Sequence, residues 1–265
     1  MPLLLECRHQ ISDQSFFLHF HNDYELLYVR SGAIRMRMGE SRYEIHEPSL
    51  IFISRFEEHS IEILSTPYER YYAIFCAETA DRLIGDMRLM SVFKNRPAGF
   101  SHLFPCGELP AAQLLFSLQQ EYARPGPYSE EYAACLLREL LILTYRAYPG
   151  RFPFPERAVK NEIHEVQRYI DRHYAEPLQV SSLAAHFYID PTYLSHRFRA
   201  LTGYSPKQYI MLSRLARAKE LLLSTPLPVG EIACETGFSD VNNFIRSFKK
   251  ETGMTPAQYR RPQQG

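Results

Sequence analysis

The stretch "LTGYSPKQYI" spans residues 201–210, and "ETGMTPAQYR" spans 251–260. Thr202-Gly203, Pro206 and Gln208-Tyr209 recur as Thr252-Gly253, Pro256 and Gln258-Tyr259, with Ser205 answered by Thr255. The repeat extends backwards: "LAAHFYIDPTYLSHRFRALTGYSPKQY" starts at Leu183 and "IACETGFSDVNNFIRSFKKETGMTPAQY" at Ile232. The offset is 50 from Asp190 and Asp240 onward and 49 before the turn, so the second copy carries one extra residue there. Each copy reads as a short helix, a turn and a second helix. Asp190 and Asp240 are natural N-caps, Pro191 suits a first helical position, and Gly203 and Gly253 supply the left-handed residue that ends each helix.

In the helix from Pro191, Leu194, Phe198 and Leu201 form the buried stripe, which turns Thr192, Ser195, His196 and Arg199 outward. In the second copy Phe244 and Phe248 are the buried positions, and Asn242, Asn243 and Arg246 face out. This is a helix-turn-helix written twice. A recognition helix needs short polar or basic side chains on one face to meet base edges, and an apolar face to anchor it. Residues 191–219 hold Arg197, Arg199, Lys207, Arg214, Arg217 and Lys219 and no carboxylate. Arg246, Lys249 and Lys250 play the same part in the second copy. Between the copies, "QYIMLSRLARAKELLLS" (208–224) forms one connecting helix with Ile210, Leu215, Ala218 and Leu222 inward. A single such pattern also occurs in all-α domains that never meet DNA. Two copies with an acid-free basic run point to sequence-specific binding of double-stranded DNA.

The full segment 161–260 resembles the DNA-binding domain of AraC/XylS-family transcription regulators, above all in "GFSDVNNFIRSFKKETGMTPAQYR" (237–260). By position, the resemblance implies that Thr192, Ser195 and His196 meet bases from the first recognition helix. Val241, Asn242, Ile245 and Arg246 do so from the second. Arg197, Arg199 and Lys249 complete the expected DNA-binding set. Val241 and Ile245 are apolar where a polar reader is expected, so the second helix leans on thymine-methyl contact or DNA shape.

The chain has 265 residues, 45% hydrophobic and 23% charged, which suits two packed domains. Residues 1–155 carry 15 Lys and Arg against 19 Asp and Glu, and 156–265 carry 15 against 11, so a neutral total hides −4 and +4. The positive excess falls on the repeated segment. Five dispersed cysteines with no C-x-x-C pair read as thiols of a reduced compartment. The opening "MPLLLECRHQ" has too short an apolar run for a signal peptide, and no stretch reaches a membrane span, so a soluble cytoplasmic protein is expected.

Residues 15–75 read as short strands: "FFLHFH", "YELLYV", "AIRMRMG", "RYEIH", "SLIFIS" and "HSIEIL", broken by Asn22-Asp23, Ser31-Gly32, Gly39-Glu40 and Glu47-Pro48. Their spacing points to a β-barrel of the jelly-roll kind. Helices follow in "PAAQLLFSLQQEYA" and "SEEYAACLLRELLILTYRAY". In the second, Leu136, Leu140 and Leu143, with Leu137 and Leu141 beside them, form a stripe that packs on its own domain or across a homodimer. The expected class is α+β: a cupin-like barrel with helices in 1–148, a linker in 149–160, and an all-α double helix-turn-helix domain in 161–262.

His19-x-His21-x3-Glu25-x6-Gly32 resembles the first motif of the cupin superfamily, and His59 stands where the second motif puts its histidine. Pro48 and Ser54 stand where that second motif has a glycine and a proline. AraC/XylS regulators often carry such a domain, which implies a small-molecule effector, a sugar among the candidates. His19, His21, Glu25, Arg35 and His59 are the expected effector residues, and Arg30, Arg37, Tyr43 and His46 are further polar candidates. His19, His21, Glu25 and His59 also form a set that suits a divalent metal, or they pack structurally. RNA polymerase is a further expected partner, and a membrane is not. The alternative is a metal-dependent cupin enzyme with an accessory DNA-binding domain. No phosphate-binding glycine loop or G-x-S-x-G elbow is present, so no enzyme of those classes is expected.

Overall fold

The computed structural model describes residues 6–94, 96, 99–153 and 162–260. The chain divides into two compact units, Met1–Glu156 and Arg157–Gly265. Of the expected linker, Pro149–Arg151 form a 3-10 turn, and residues 154–160 lie outside the described residues.

The first unit is built from strands β1 (Glu6–Ser12), β2 (Phe16–His19), β3 (Tyr24–Ser31), β4 (Ile34–Met38), β5 (Ser41–Ile45), β6 (Ser49–Ile53), β7 (His59–Ile63), β8 (Tyr68–Phe75) and β9 (Leu103–Pro105). They form two antiparallel sheets, in the orders β1-β8-β3-β6-β9 and β2-β7-β4-β5. Strands β1, β8 and β9 extend the expected set. Leu27, Val29, Ile51, Ile53 and Tyr68 of the first sheet pack between the sheets against Ile34, Met36, Met38, Ile45 and Ile61 of the second. The opposite face of the first sheet carries Tyr24, Leu26, Tyr28, Leu50, Phe52 and Phe75. That face is covered by α1 (Ala77–Leu83), α2 (Ala111–Ala123) and α3 (Ser129–Ala147). Hence β3 from Leu26 to Val29 and β6 from Leu50 to Ile53 are unbroken apolar runs, because both of their faces are buried there.

This burial decides between two expectations. Leu136, Leu137, Leu140 and Leu141 lie in the core cluster that α1, α2 and α3 share with the first sheet. The leucine stripe packs on its own domain.

Gly32 joins β3 to β4 at φ +89, and a Cβ there would stand 2.7 Å from the Pro67 carbonyl oxygen and 2.9 Å from the Tyr68 Cα. Only glycine fits a turn that the start of β8 approaches so closely. The loop between β6 and β7 is tied down by a polar network. Glu57 Oε2 accepts from the Ser54 amide at 2.8 Å and from Arg96 Nη1 at 2.5 Å. Its Oε1 lies 2.7 Å from His102 Nε2, and His102 Nδ1 lies 2.9 Å from the Tyr43 hydroxyl.

The second unit contains α4 (Glu162–His173), α5 (Val180–His186), α6 (Pro191–Thr202), α7 (Pro206–Ser224), α8 (Val229–Glu235), α9 (Val241–Thr252) and α10 (Pro256–Arg260). Helices α5 and α8 start 49 residues apart, and α6 and α9 start 50 apart, so the extra residue sits in the second turn. Each position of the repeated phrase has a local task. Thr202 and Thr252 donate to the carbonyls of Phe198 and Phe248, both at 2.8 Å, and accept from the amides of Tyr204 and Met254. Gly203 and Gly253 follow at φ 81 and 76. Ser205 and Thr255 cap the next helix and exchange hydrogen bonds with Gln208 and Gln258, a capping box in both copies. Tyr209 then packs edge-on against Phe198 at 5.3 Å, and Tyr259 against Phe248 at 5.4 Å.

Asp190 accepts from the amides of Thr192 and Tyr193, and Asp240 from those of Asn242 and Asn243. Asp190→Ala and Asp240→Ala should therefore each cost the helical unit about 1 kcal/mol, measured by denaturant unfolding. A loss indistinguishable from zero would show that the caps are not used in solution.

Replacement of Glu57 leaves the enclosed Arg96 guanidinium without its counter-charge. Glu57→Gln should cost the first unit about 3 kcal/mol, where an exposed pair would cost under 1. Burial alone would raise the Glu57 carboxyl, but Arg96 and then His102 outweigh it and hold it at about 2. Because the folded value is depressed, this stabilisation is complete above the ordinary value of 4.5 and is lost as the pH falls toward about 2. Glu57→Gln should flatten that acid limb in pH-dependent unfolding.

Candidate functional site

Two clusters of side chains are candidates for function, one in each unit. In the second unit, α6 and α9 have the same sequence of buried and exposed residues over all twelve positions. Leu194 and Phe198 are fully buried in one, Phe244 and Phe248 in the other. Thr192, His196 and Arg199 are exposed on α6, and Asn242, Arg246 and Lys249 are exposed at the matching places on α9. Val241 is exposed at the start of α9, and Ile245 is half-buried against the core. The half-buried Ser195 donates its hydroxyl proton to the Pro191 carbonyl at 2.8 Å, so its lone pairs are what it offers to a base. Arg197 is also half-buried, and its Nε has no hydrogen-bond partner.

The basic run is less available than its composition implies. Arg214 donates from Nε to the Tyr174 carbonyl and from Nη2 to that of Glu176, both at 2.7 Å, and so ties α7 to the end of α4. Arg217 pairs with Glu220 at 2.7 Å, and Lys219 is buried. Arg199, Lys207 and Arg217 are exposed, and the last of these is already paired. Helix α7 spans 19 residues, about 28 Å at the usual rise, and buries Ile210, Leu215, Ala218 and Leu222 as expected.

In the first unit, His19 ends β2 directly opposite His59, which begins β7. His21 follows in the loop, and Glu25 lies near the start of β3. Ring centroids are 4.2 Å apart for His19 and His59, 5.3 Å for His21 and His59, and 6.1 Å for His19 and His21. The Glu25 carboxylate is buried, 3.1 Å from His21 Nε2 and 3.5 Å from His59 Nε2. The neighbouring loop holds this arrangement. The Phe56 amide donates to the His21 carbonyl at 2.8 Å, and Arg55 donates to the Asn22 carbonyl and side chain.

Burial alone would raise Glu25, but His21 and His59 outweigh it and hold the carboxyl well below the usual range. Burial would likewise lower His21, and Glu25 more than reverses this. His19 stands at an exposed strand end. Partial desolvation and the adjacent His59 push it down to about 4.

Arg35 does not join this group. It alternates with the inward Ile34 and Met36 and pairs on the outer face with Glu44 at 2.7 Å and Glu62 at 2.8 Å. Arg30 pairs with Glu69, Arg37 and His46 are exposed, and Tyr43 is bound to His102. Two residues without any motif do face the barrel interior. The Tyr68 hydroxyl is fully buried with no hydrogen-bond partner by distance and angle. Arg70 lies buried against the rings of Phe16, at 3.9 Å, and Tyr72, and donates to the Gln10 side-chain oxygen at 2.8 Å. The alternation of β8 was the signal available for both.

Residues 3–141 match the family described as an AraC-like ligand binding domain, and residues 183–262 match a helix-turn-helix domain. Among relatives, the uncharacterized HTH-type transcriptional regulator YfiF of Bacillus subtilis is 30% identical over 253 residues, 92% of this chain and 78% of that protein. The HTH-type transcriptional activator RhaR of Escherichia coli is 26% identical over 92% of this chain and 87% of its own length. The arabinose operon regulatory protein of E. coli is 35% identical over 51% of this chain and 46% of its own. The fold is shared with ToxT of Vibrio cholerae, at a TM-score of 0.66 and 16% identity over 96% of both chains. These relatives are transcription regulators by name, which leaves the cupin-enzyme alternative without support. No helix among the described residues is long and apolar enough to cross a membrane. A matched ligand-binding domain over half the chain, a matched helix-turn-helix domain and a full-length relative agree: the chain belongs to the AraC family of DNA-binding transcription regulators.

Proposed function

We propose that α6 and α9 read neighbouring major-groove segments of a promoter or operator, and that a small molecule inside the barrel sets how they meet it. The observation that carries this reading is the identical exposure of the two helices, which presents one polar face twice on a shared strut. Thr192, Ser195, His196, Val241, Asn242, Ile245 and Arg246 are the base-facing residues. Arg197, Arg199 and Lys249 serve the phosphates. The chain works in the cytoplasm, where the DNA is, and the bound regulator acts on RNA polymerase.

The effector sits between the two sheets. The unsatisfied Tyr68 hydroxyl and the Arg70 guanidinium supply polar contacts, because a buried polar group without a partner is costly and a ligand can satisfy it. His19, His21, Glu25 and His59 bound the same interior: Glu25 lies four residues along β3 from Val29, which is paired with Arg70. The regulator is a homodimer. Its contact uses exposed apolar residues of α2 and α3, such as Phe116 and Ile142, in place of the buried leucines.

Arg246→Ala should weaken binding to a site selected from random DNA by about 1–3 kcal/mol and leave random DNA nearly unaffected. Lys249→Ala should weaken both alike and reduce the salt slope by about 1. Equal loss on both DNAs for Arg246→Ala would remove its base-reading role. Tyr68→Phe gives the test of the barrel. It should stabilise the ligand-free chain by about 1 kcal/mol while weakening the effector found by a thermal-shift screen of sugars and organic acids. Unchanged effector affinity would place the ligand elsewhere.

A further inference from the structure

Arg70 and Tyr68 stand two residues apart on β8 and share the face that Tyr72 and the paired Leu27 and Val29 turn to the space between the sheets. The Arg70 guanidinium is buried, yet among the described residues it forms no ion pair. The carboxylates of the flanking strands are committed elsewhere. Glu6 accepts from the Tyr72 hydroxyl at 2.8 Å and pairs with Arg8 at 2.7 Å, and Glu25 is held by His21 and His59. The hydrogen bonds of Arg70 go to the Gln10 side-chain oxygen, from Nε at 3.2 Å and from Nη2 at 2.8 Å. A guanidinium carries five N–H groups, so the two on Nη1 and the second on Nη2 are left at its outer end. Its faces are covered by the rings of Phe16, at 3.9 Å, and Tyr72, at 4.8 Å, so that end is the direction open to a partner. The buried Tyr68 hydroxyl, also without a partner, stands beside it. Burial pushes this hydroxyl up to about 12 against the pull of the Arg70 charge, so it keeps the proton it has to donate.

A buried cation without a counter-charge and a buried donor without an acceptor are each costly, and one anion relieves both. We infer that the effector is an organic acid with an apolar body, its carboxylate gripped end-on by Nη1 and Nη2 of Arg70 and receiving a third hydrogen bond from Tyr68. The planar fork of a guanidinium matches the two oxygens of a carboxylate, which a lone hydroxyl of a sugar does not. The remaining lining sets the body of the molecule. Leu27, Val29, Ile34, Met36, Ile51 and Ile61 supply the walls between the sheets. A sugar would strand most of its hydroxyls against these side chains, whereas an alkyl or aryl group is matched by them. The same guanidinium joins three strands, since Gln10 lies on β1, Arg70 on β8 and Phe16 on β2, so an acid bound there bears on the edges of both sheets. The inference rests on the reading that the effector lies inside the barrel, and it adds the effector's chemical class.

The test uses the full chain and matched probes: benzoate with benzamide, and octanoate with 1-octanol, alongside glucose and sodium sulfate. In titration calorimetry at least one acid should bind, its neutral counterpart about 100-fold more weakly, and glucose and sulfate not at all. Arg70→Met should weaken the acid by a similar factor without lowering the melting temperature of the ligand-free chain, because it removes a buried charge that the fold leaves unpaired. Arg70→Lys, which keeps the charge and loses the fork, should fall between Arg70→Met and the unaltered chain. Arg35→Met, on the outer face, should leave the affinity unchanged. Silence of both acids, equal binding of acid and neutral counterpart, or sulfate bound as well as the acid would overturn the inference. So would a marked fall in the melting temperature of Arg70→Met, which would make the guanidinium a structural group. Glucose bound in place of the acids, and weakened by Tyr68→Phe, would overturn the acid assignment and keep the barrel reading. An acid bound equally by the unaltered, Tyr68→Phe and Arg70→Met chains would overturn both.

Discussion

Both recognition helices depend on one packing contact: a phenylalanine one turn from the helix end, buried against a tyrosine eleven residues later. Phe198 meets Tyr209 and Phe248 meets Tyr259 in the same edge-on geometry. Once that phenylalanine and the apolar residue four before it are committed inward, every other direction around the helix follows from 3.6 residues per turn. The repeated phrase makes this contact possible. Its threonine, glycine, capping serine or threonine, proline and glutamine turn the chain between the phenylalanine and the tyrosine, with hydrogen bonds for the backbone groups that the turn would strand. The chain repeats those residues because it needs the same corner twice.

The two copies are nevertheless anchored differently. Tyr209 donates to Asp171 on α4 at 3.1 Å and accepts from Gln167 at 2.9 Å, and Arg214 reaches the carbonyls at the end of the same helix. These contacts build α4 into the first helix-turn-helix. They also explain why part of the basic run is not free for DNA: a guanidinium that caps a helix end contributes to the fold, and an exposed one that pairs with Glu220 is partly neutralised. The charge available to phosphates is therefore carried by fewer residues, at the exposed positions of α6 and α9 and at Lys207.

The helical unit was legible in the sequence because its signals are local. Caps, left-handed glycines and apolar spacing act within one or two turns: α6 starts at Pro191 as expected, and α7 starts two residues before the connecting helix read at 208–224. The barrel was legible only in outline. Strand β1 has no clean alternation of apolar and polar residues, and β9 is three residues long, so neither declares itself. Arg35 reads as well inward as outward until its strand is paired, and pairing with Glu44 and Glu62 puts it outside. The leucines of α3 gave a period without a partner, and the elements that α3 meets include α1, more than fifty residues upstream, and α2. Glu57 meets Arg96 and His102 across 39 and 45 residues, a distance over which spacing carries no information.

The same distinction bears on the histidine cluster. His19, His21 and Glu25 lie in one short segment and could be grouped by motif, whereas His59 joins them only because β2 and β7 are paired with His19 opposite His59. The structure adds what no motif states, the direction of each ring. Three separate backbone carbonyls, from Phe17, Asp23 and Glu57, each engage a Nδ1, and the third belongs to the residue that also holds Arg96. The network that fixes the β6–β7 loop thus also orients His59.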